Sequence, residues 1–291
     1  MTGAHDFATV SMDTWVNVQV VTPVARATVE PDVQRAFAWF ETIERLCSRY
    51  DRYSEVMRLL EHVGEPVPVS TLLFEATAFA LDLAEQTDGA FDPTLGAALE
   101  RLGHDTHYVT GERVTSPAEA LAASFRDIQL DRASGTIRLE RPVVIDLNAV
   151  VKGLAIDLAA RELDGYAGAC VEAGGDIYAR GTNADGEPWH IGIQDPRDEA
   201  RLARTLRIRD AAVCTSGDYE RGAHVLDGRT GRARGDLASV TVVAPTAMAA
   251  DGLSTAAMAL GLDGGSDLLR AQGVAGLFIT HAGQTTTVGE L

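Results

Sequence analysis

Cysteine is scarce in this chain: Cys47, Cys170 and Cys214 are the whole complement among 291 residues. Three thiols so far apart build neither a disulfide framework nor a zinc site. Each reads as a small hydrophobe filling the core of a protein kept in a reducing compartment. No apolar run approaches the roughly 18 residues of a membrane-spanning helix, so no integral membrane span is expected. Residues 1–7 lack the basic stretch followed by an apolar one that marks an export signal, and a cytoplasmic location is expected. Positive charge is also short: 25 Lys and Arg stand against 42 Asp and Glu, a formal net charge of −17. That field repels nucleic acid and anionic lipid, so nucleic acid is excluded as a partner. An anionic small molecule still binds where a metal ion and helix N-termini neutralise it locally. Neither common nucleotide signature is present, since no Gly-x-Gly-x-x-Gly follows a predicted strand and no Walker A motif occurs.

What is there is a chain with 46% hydrophobic residues, long enough to bury a full core. Alternation over residues 15–21 predicts an early strand. Pro31 is expected to open a helix in which Val33, Phe37, Phe40, Ile43 and Cys47 recur at helical spacing. A second amphipathic stretch uses Leu72, Leu73, Ala76, Phe79, Ala80 and Leu83. Residues 137–147 read as extended, ending at Asp146 and passing into a helix expected over 151–163. Further strands are expected at 169–172, 189–194, 205–208 and 238–243, with the last at 276–280. Thr246 is placed as the N-cap of a helix. Gly252 inside that helix costs about 1 kcal/mol relative to alanine, which signals close approach of another group. No internal repeat, low-complexity segment or long linker divides the chain, so residues 1–291 read as one α+β unit.

Three segments carry chemistry. Asp251 and Thr255, four residues apart, face the same way on a helix. A carboxylate and a hydroxyl, completed by a backbone carbonyl and phosphate oxygens, suit Mg²⁺. The run from Asp146 to Lys152 places a carboxylate, free backbone N–H groups and an ammonium at one sheet edge, an arrangement that holds a nucleotide. His224 and Asp227 form a candidate acid/base pair, although a lone histidine is more often a structural hydrogen-bonder. The turns at residues 172–176 and 215–220 bear carboxylates and read first as turn punctuation. His104 and His107 flank Asp105 in a stretch that reads as loop. Taken singly, Asp146 has a plain reading as a helix cap and Lys152 as a solvated side chain.

In their order along the chain these segments strongly resemble the ApbE family, the Mg²⁺-dependent FAD:protein FMN transferases. Ser11-Met12-Asp13-Thr14 resembles the family's Met-Gly-Thr start, and Ser48-Arg49-Tyr50 with Ser54-Glu55 resembles Ser-Thr-Tyr followed by Ser-Glu. The run Gly89-Ala90-Phe91-Asp92-Pro93-Thr94-Leu95-Gly96 matches Gly-Ala-Phe-Asp-Pro-Thr-x-Gly. Residues 146–157 resemble Asp-Leu-Gly-Gly-x-Ala-Lys-Gly-x-Ala-x-Asp, residues 215–220 repeat Thr-Ser-Gly-Asp-Tyr-Glu, and residues 251–255 resemble Asp-Ala-Leu-Ser-Thr. Asn148 replaces a usual glycine, Val151 a usual alanine, and Gly228 the proline of His-Ile-Leu-Asp-Pro-Arg-Thr-Gly.

The resemblance implies a single α+β domain, related to the T-fold, with two lobes around a flavin cleft. It implies that Asp251, Thr255 and the Ala149 carbonyl hold Mg²⁺. Met12, Tyr50, Ala90, Phe91, Asp92, Asp146, Lys152 and His224 would then line or fix FAD, with His224 as general base. The implied reaction moves the FMN moiety of FAD to a Thr or Ser hydroxyl of an acceptor flavoprotein and releases AMP. The alternatives are an FAD pyrophosphatase, in which water replaces that hydroxyl, and a flavin carrier without turnover.

Overall fold

A computed structural model describes residues 3–107, 110–218 and 225–291, apart from the side chains of residues 118, 119 and 199. Its frame is one antiparallel sheet of eight strands: β1 (Gly3–Ser11), β2 (Thr14–Thr22), β3 (Gly168–Ala173), β4 (Asp176–Gly181), β5 (Ala211–Gly217), β6 (Leu237–Ala244), β7 (Ala275–Thr280) and β8 (Thr285–Val288). These eight lie side by side in chain order. The alternation predicted in β2 is real, and it divides the sheet's two faces. Val16, Val18 and Val20 turn to the helical side, and Val21 turns to the other.

Four long helices lie on the first side: α1 (Arg26–Cys47), α2 (Thr71–Gln86), α3 (Asn148–Arg161) and α4 (Ala247–Gln272); α1, α3 and α4 pack on the sheet, and α2 packs on those three helices. The opposite face is closed by the hairpin of strands Trp189–Asp195 and Asp198–Ile208. Trp189, Ile191, Ile193, Leu206 and Ile208 of that hairpin pack on Val21, Ala179, Val213, Leu277 and Ile279. A small sheet joins strand Thr136–Leu139 to Pro66–Pro68 and Ile128–Asp131. No helix among the described residues is long and apolar enough to cross a membrane.

The expectations hold for the α+β class and for most elements, and the departures have physical causes. Helix α1 starts at Arg26, five residues before Pro31, which lies inside it. Proline removes one helical hydrogen bond there, but Val29, one turn before Val33, is buried and packs that first turn onto the core. Residues 140–147 are not strand, and α3 begins at Asn148. Four sheet strands were not expected: β1, β4, β5 and β8. The inward side chains of β1 are His5, Phe7, Thr9 and Ser11, and β5 is built from small residues, so neither gives a clear apolar alternation.

The prediction for Gly252 is met. A Cβ there would come within 2.7 Å of Leu83 Cδ1 and 2.8 Å of Phe79 Cε1, both on α2. Thr246 caps α4 by accepting the Ala249 N–H at 3.2 Å. Helix α4 is broken at Gly261, whose φ of 77° and ψ of −176° suit glycine alone. The break doubles the helix back, so it enters β7 beside and antiparallel to β6.

Candidate active site

A cavity of 610 Å³ opens where the β1–β2 turn, the end of α1, the loop after α2, the start of α3, the end of β5 and the first half of α4 converge. Met12, Tyr50, Phe91, Asp92, Asp146, Ala149, Lys152, Asp251 and Thr255 all line it. Of the expected site residues that the structure describes, Ala90 alone does not line it. Ala90 is fully buried behind the wall, where its carbonyl accepts the Gly228 N–H at 2.9 Å. His224 lies outside the described residues, as do Tyr219 and Glu220.

Each wall is held in place locally. Met12 and Asp13 have φ of 52° and 61°, the left-handed pair of a tight hairpin turn. Glu44 of α1 accepts from Ser11 Oγ and the Met12 N–H, both at 3.3 Å. Asp92 accepts from Thr94 N–H at 2.8 Å, Thr94 Oγ1 at 2.7 Å and Phe125 N–H at 3.3 Å. Its carboxylate therefore shapes its own loop; burial pushes its pKa up and these donors oppose the rise. Cys47 at the end of α1 also lines the cavity, and burial pushes its thiol up to about 12, leaving it an inert filler.

Arg49, between Ser48 and Tyr50, is a cavity-lining side chain that the sequence pattern does not single out. It is 1% exposed, with Nε 2.6 Å from Asp146 Oδ2. It donates to the Tyr50 hydroxyl at 2.6 Å and the His104 carbonyl at 2.9 Å, and its guanidinium lies 4.0 Å from the Tyr50 ring centroid. Burial works against its charge, yet Asp146, Tyr50 and Glu100 outweigh it and raise the pKa. Asp146 Oδ1 in turn accepts the Asn148 N–H at 2.9 Å, tying Arg49 to the first turn of α3. The Asn148 side chain is exposed at the cavity wall.

The floor is formed where α3 crosses α4. A Cβ on Gly153 would stand 2.4 Å from the Ala247 carbonyl oxygen, so only glycine permits this approach. Asp157 of α3 reaches across and accepts the Ala247 and Met248 N–H groups at 2.7 and 3.0 Å, supplying a cap to α4 from another helix. Burial raises its pKa and those two N–H groups oppose the rise. Asp251 and Thr255 follow on the same face. Asp251 is 5% exposed, and its Oδ2 has no hydrogen-bond partner among the described residues. Burial pushes its carboxyl up, while the Lys152 charge and the Gly153 N–H pull it back. Thr255 Oγ1 shares a hydrogen bond of 2.9 Å with Ser216 Oγ, which meets Ser254 Oγ at 2.8 Å.

Lys152 is an ion-pair partner of Asp176, which is 1% exposed. Asp176 was expected only as turn punctuation; the Gly174-Gly175 turn folds its carboxylate under the cavity, where Oδ1 also accepts the Thr215 N–H at 2.9 Å. Asp227 is buried and fastened to Arg229 at 2.9 and 2.7 Å, which holds its pKa below the usual carboxylate range.

The donor set fits a hard divalent cation. A buried carboxylate oxygen without a partner costs several kcal/mol unless neutralised, and oxygen donors are what Mg²⁺ selects. Of the two buried carboxylates, Asp176 holds the Lys152 ammonium and Asp251 has no ion-pair partner among the described residues, so Asp251 is the position a cation would balance.

The ApbE family profile matches residues 12–278. An FAD:protein FMN transferase of Klebsiella pneumoniae is 32% identical, over 94% of this chain and 83% of its own length. One of Salmonella typhimurium is 33% identical, over 82% and 74% respectively. Among solved structures, the flavin transferase ApbE of Vibrio cholerae superposes with a TM-score of 0.85 at 27% identity, covering 99% of this chain and 98% of that one. An ApbE protein of Thermotoga maritima gives 0.86 at 29% identity, covering 98% and 97%. With the family profile spanning nearly the whole chain and the fold shared from end to end, this protein belongs to the ApbE family.

Proposed function

We propose that this chain transfers the FMN moiety of FAD to a Thr or Ser hydroxyl of an acceptor flavoprotein. The hydroxyl oxygen attacks the phosphorus on the FMN side, the pyrophosphate P–O bond breaks, and AMP leaves. The observation that carries this reading is the unpartnered Oδ2 of Asp251 on the floor of a 610 Å³ cavity, a volume suited to a cofactor-sized ligand. Asp251, Thr255 and the Ala149 carbonyl would hold Mg²⁺, which supplies charge neutralisation at the pyrophosphate and at the leaving AMP.

The chain's own groups do the rest. Met12, Tyr50 and Phe91 give the flavin an apolar and aromatic wall. The α3 N-terminus, pinned by Asp146 and Arg49, brings the positive end of that helix to the cavity wall. His224 is the candidate base for the acceptor hydroxyl, because Asp227 is engaged with Arg229 and has its proton affinity lowered.

Incubation with FAD, Mg²⁺ and a candidate acceptor tests the reading by AMP release and by a mass increase of the acceptor equal to one FMN. AMP without any acceptor indicates a pyrophosphatase, and no AMP under any condition indicates a carrier. Asp251→Ala should abolish AMP release with the fold intact. Wild-type release by that variant at saturating Mg²⁺ refutes the assignment of Asp251 as metal ligand.

A further inference from the structure

Asp176 is a buried carboxylate behind the cavity wall, paired with the cavity-lining Lys152, for which the transfer reaction has no step. Its Oδ1 is occupied by the Thr215 N–H and its Oδ2 by the Lys152 ammonium. Asp251, also buried, lines the cavity, and its Oδ2 has no hydrogen-bond partner among the described residues. The two are close through Lys152. The turn of α3 bearing Lys152 and Gly153 lies directly against the first turn of α4, one turn before Asp251, and both Lys152 and Asp251 line the same cavity. A lysine ammonium on a flexible four-carbon stem can serve either carboxylate, and a buried carboxylate without a counter-charge draws the nearest cation.

We propose that Asp176 is the positioning residue of the metal site: by holding the Lys152 ammonium it keeps that cation off Asp251, whose free oxygen then receives Mg²⁺. The proposal rests on the assignment of Asp251 as a Mg²⁺ ligand. Lys152 is an internal competitor for the metal position, and Asp176 is the group that sequesters it. The same pair explains why a half-buried lysine stands beside two buried carboxylates where one carboxylate would suffice to bind the ion.

The test uses Mn²⁺ as the probe on the full chain without FAD, read by electron paramagnetic resonance of free Mn²⁺ and by calorimetry. Asp176→Asn keeps the acceptor for the Thr215 N–H but releases the lysine. Its Mn²⁺ dissociation constant should rise about tenfold or more, equivalent to about 1.4 kcal/mol or more. Asp176→Asn combined with Lys152→Met should bring the constant back to within about threefold of wild type, a difference under about 1 kcal/mol. Lys152→Met alone leaves Asp176 untouched and should bind Mn²⁺ as tightly as wild type or more so.

Asp176→Asn binding Mn²⁺ like the wild type overturns the proposal. So does a double variant as weak as Asp176→Asn, because Asp176 would then act on the ion without the lysine. A tenfold weakening in Lys152→Met also overturns it. Asp251→Asn separates the two levels of the argument. If Asp251→Asn retains Mn²⁺ affinity, the ligand assignment fails and the proposal with it. If it loses Mn²⁺ while Asp176→Asn does not, only the positioning role is rejected.

Discussion

Replacing Arg49 with methionine removes a guanidinium that is 1% exposed and leaves Asp146, whose side chain is 10% exposed, without its partner at 2.6 Å. Methionine fills much of the volume, so the chief loss is electrostatic. Breaking one side of a buried pair costs about 3–5 kcal/mol because the remaining charge stays desolvated. The Tyr50 hydroxyl and the His104 carbonyl lose donors as well. A loss of about 3–5 kcal/mol in unfolding free energy is therefore expected for Arg49→Met, read by urea unfolding with circular dichroism and tryptophan fluorescence. Arg49→Met combined with Asp146→Leu should recover much of the loss, since replacing a whole buried pair by apolar groups is often neutral. It should fall short by about 1 kcal/mol for the lost contact to the Asn148 N–H. FAD affinity should drop in the single variant, because Tyr50 and the start of α3 lose their common anchor. A destabilisation under about 1 kcal/mol, the worth of an exposed ion pair, would refute the view of Arg49 as a buried keystone of the cleft wall.

Ala149→Gly should keep most activity, since it retains the carbonyl and costs only about 0.5–1 kcal/mol in backbone freedom, whereas Ala149→Pro should lose it by driving Asn148 out of the helical region. Equal loss of Mg²⁺-dependent FAD cleavage in both, with native circular dichroism, would show that the methyl group matters. His224→Ala should slow transfer about 10²–10⁴-fold with FAD affinity near wild type by flavin fluorescence; unchanged turnover moves the base role elsewhere. Asp227 contributes a pH dependence. Its folded pKa lies below its unfolded value because of Arg229, so its stabilisation is present above about pH 4 and lost as pH falls through the folded value. In thermal melts, wild type should therefore lose its advantage over Asp227→Asn only below about pH 4; an advantage that grows as the pH falls below about 4 contradicts the lowered pKa.

What was legible in the sequence is what lies within one element. Asp251 and Thr255 share a helix face, and the short spacing from Asp146 to Lys152 spans one turn into α3, so pattern alone placed them. The partners were not legible, because they come from elsewhere in the chain. Asp146 and Lys152 were read as a pair serving one ligand, yet Asp146 binds Arg49 and Lys152 binds Asp176. Asp157 looked like the end of a motif, and only the crossing of α3 over α4 shows it capping another helix. A buried arginine is invisible in composition, since its burial depends on Asp146 and His104 arriving beside it. Strands such as β5 were missed for a related reason: a central strand of alanine, valine, cysteine and small polar residues is specified by its neighbours and not by its own alternation.

Between β2 and β3, which are neighbours in the sheet, the chain travels out through residues 23–167 and returns. That excursion carries α1, α2 and α3, and so the Ala149 and Lys152 half of the floor, while Asp251 and Thr255 arrive from the later half. The closure entropy of such an excursion grows only as the logarithm of its length, about 0.6 kcal/mol per doubling. Length can therefore be added to or taken from the loops between these helices at small thermodynamic cost, provided the two strand ends still meet. The crossing of α3 on α4 admits no such latitude, because Gly153 has no space to give. A divalent ion taken up there would bridge the excursion to the rest of the sheet, so metal occupancy should slow the local opening of this seam as well as prepare it for substrate.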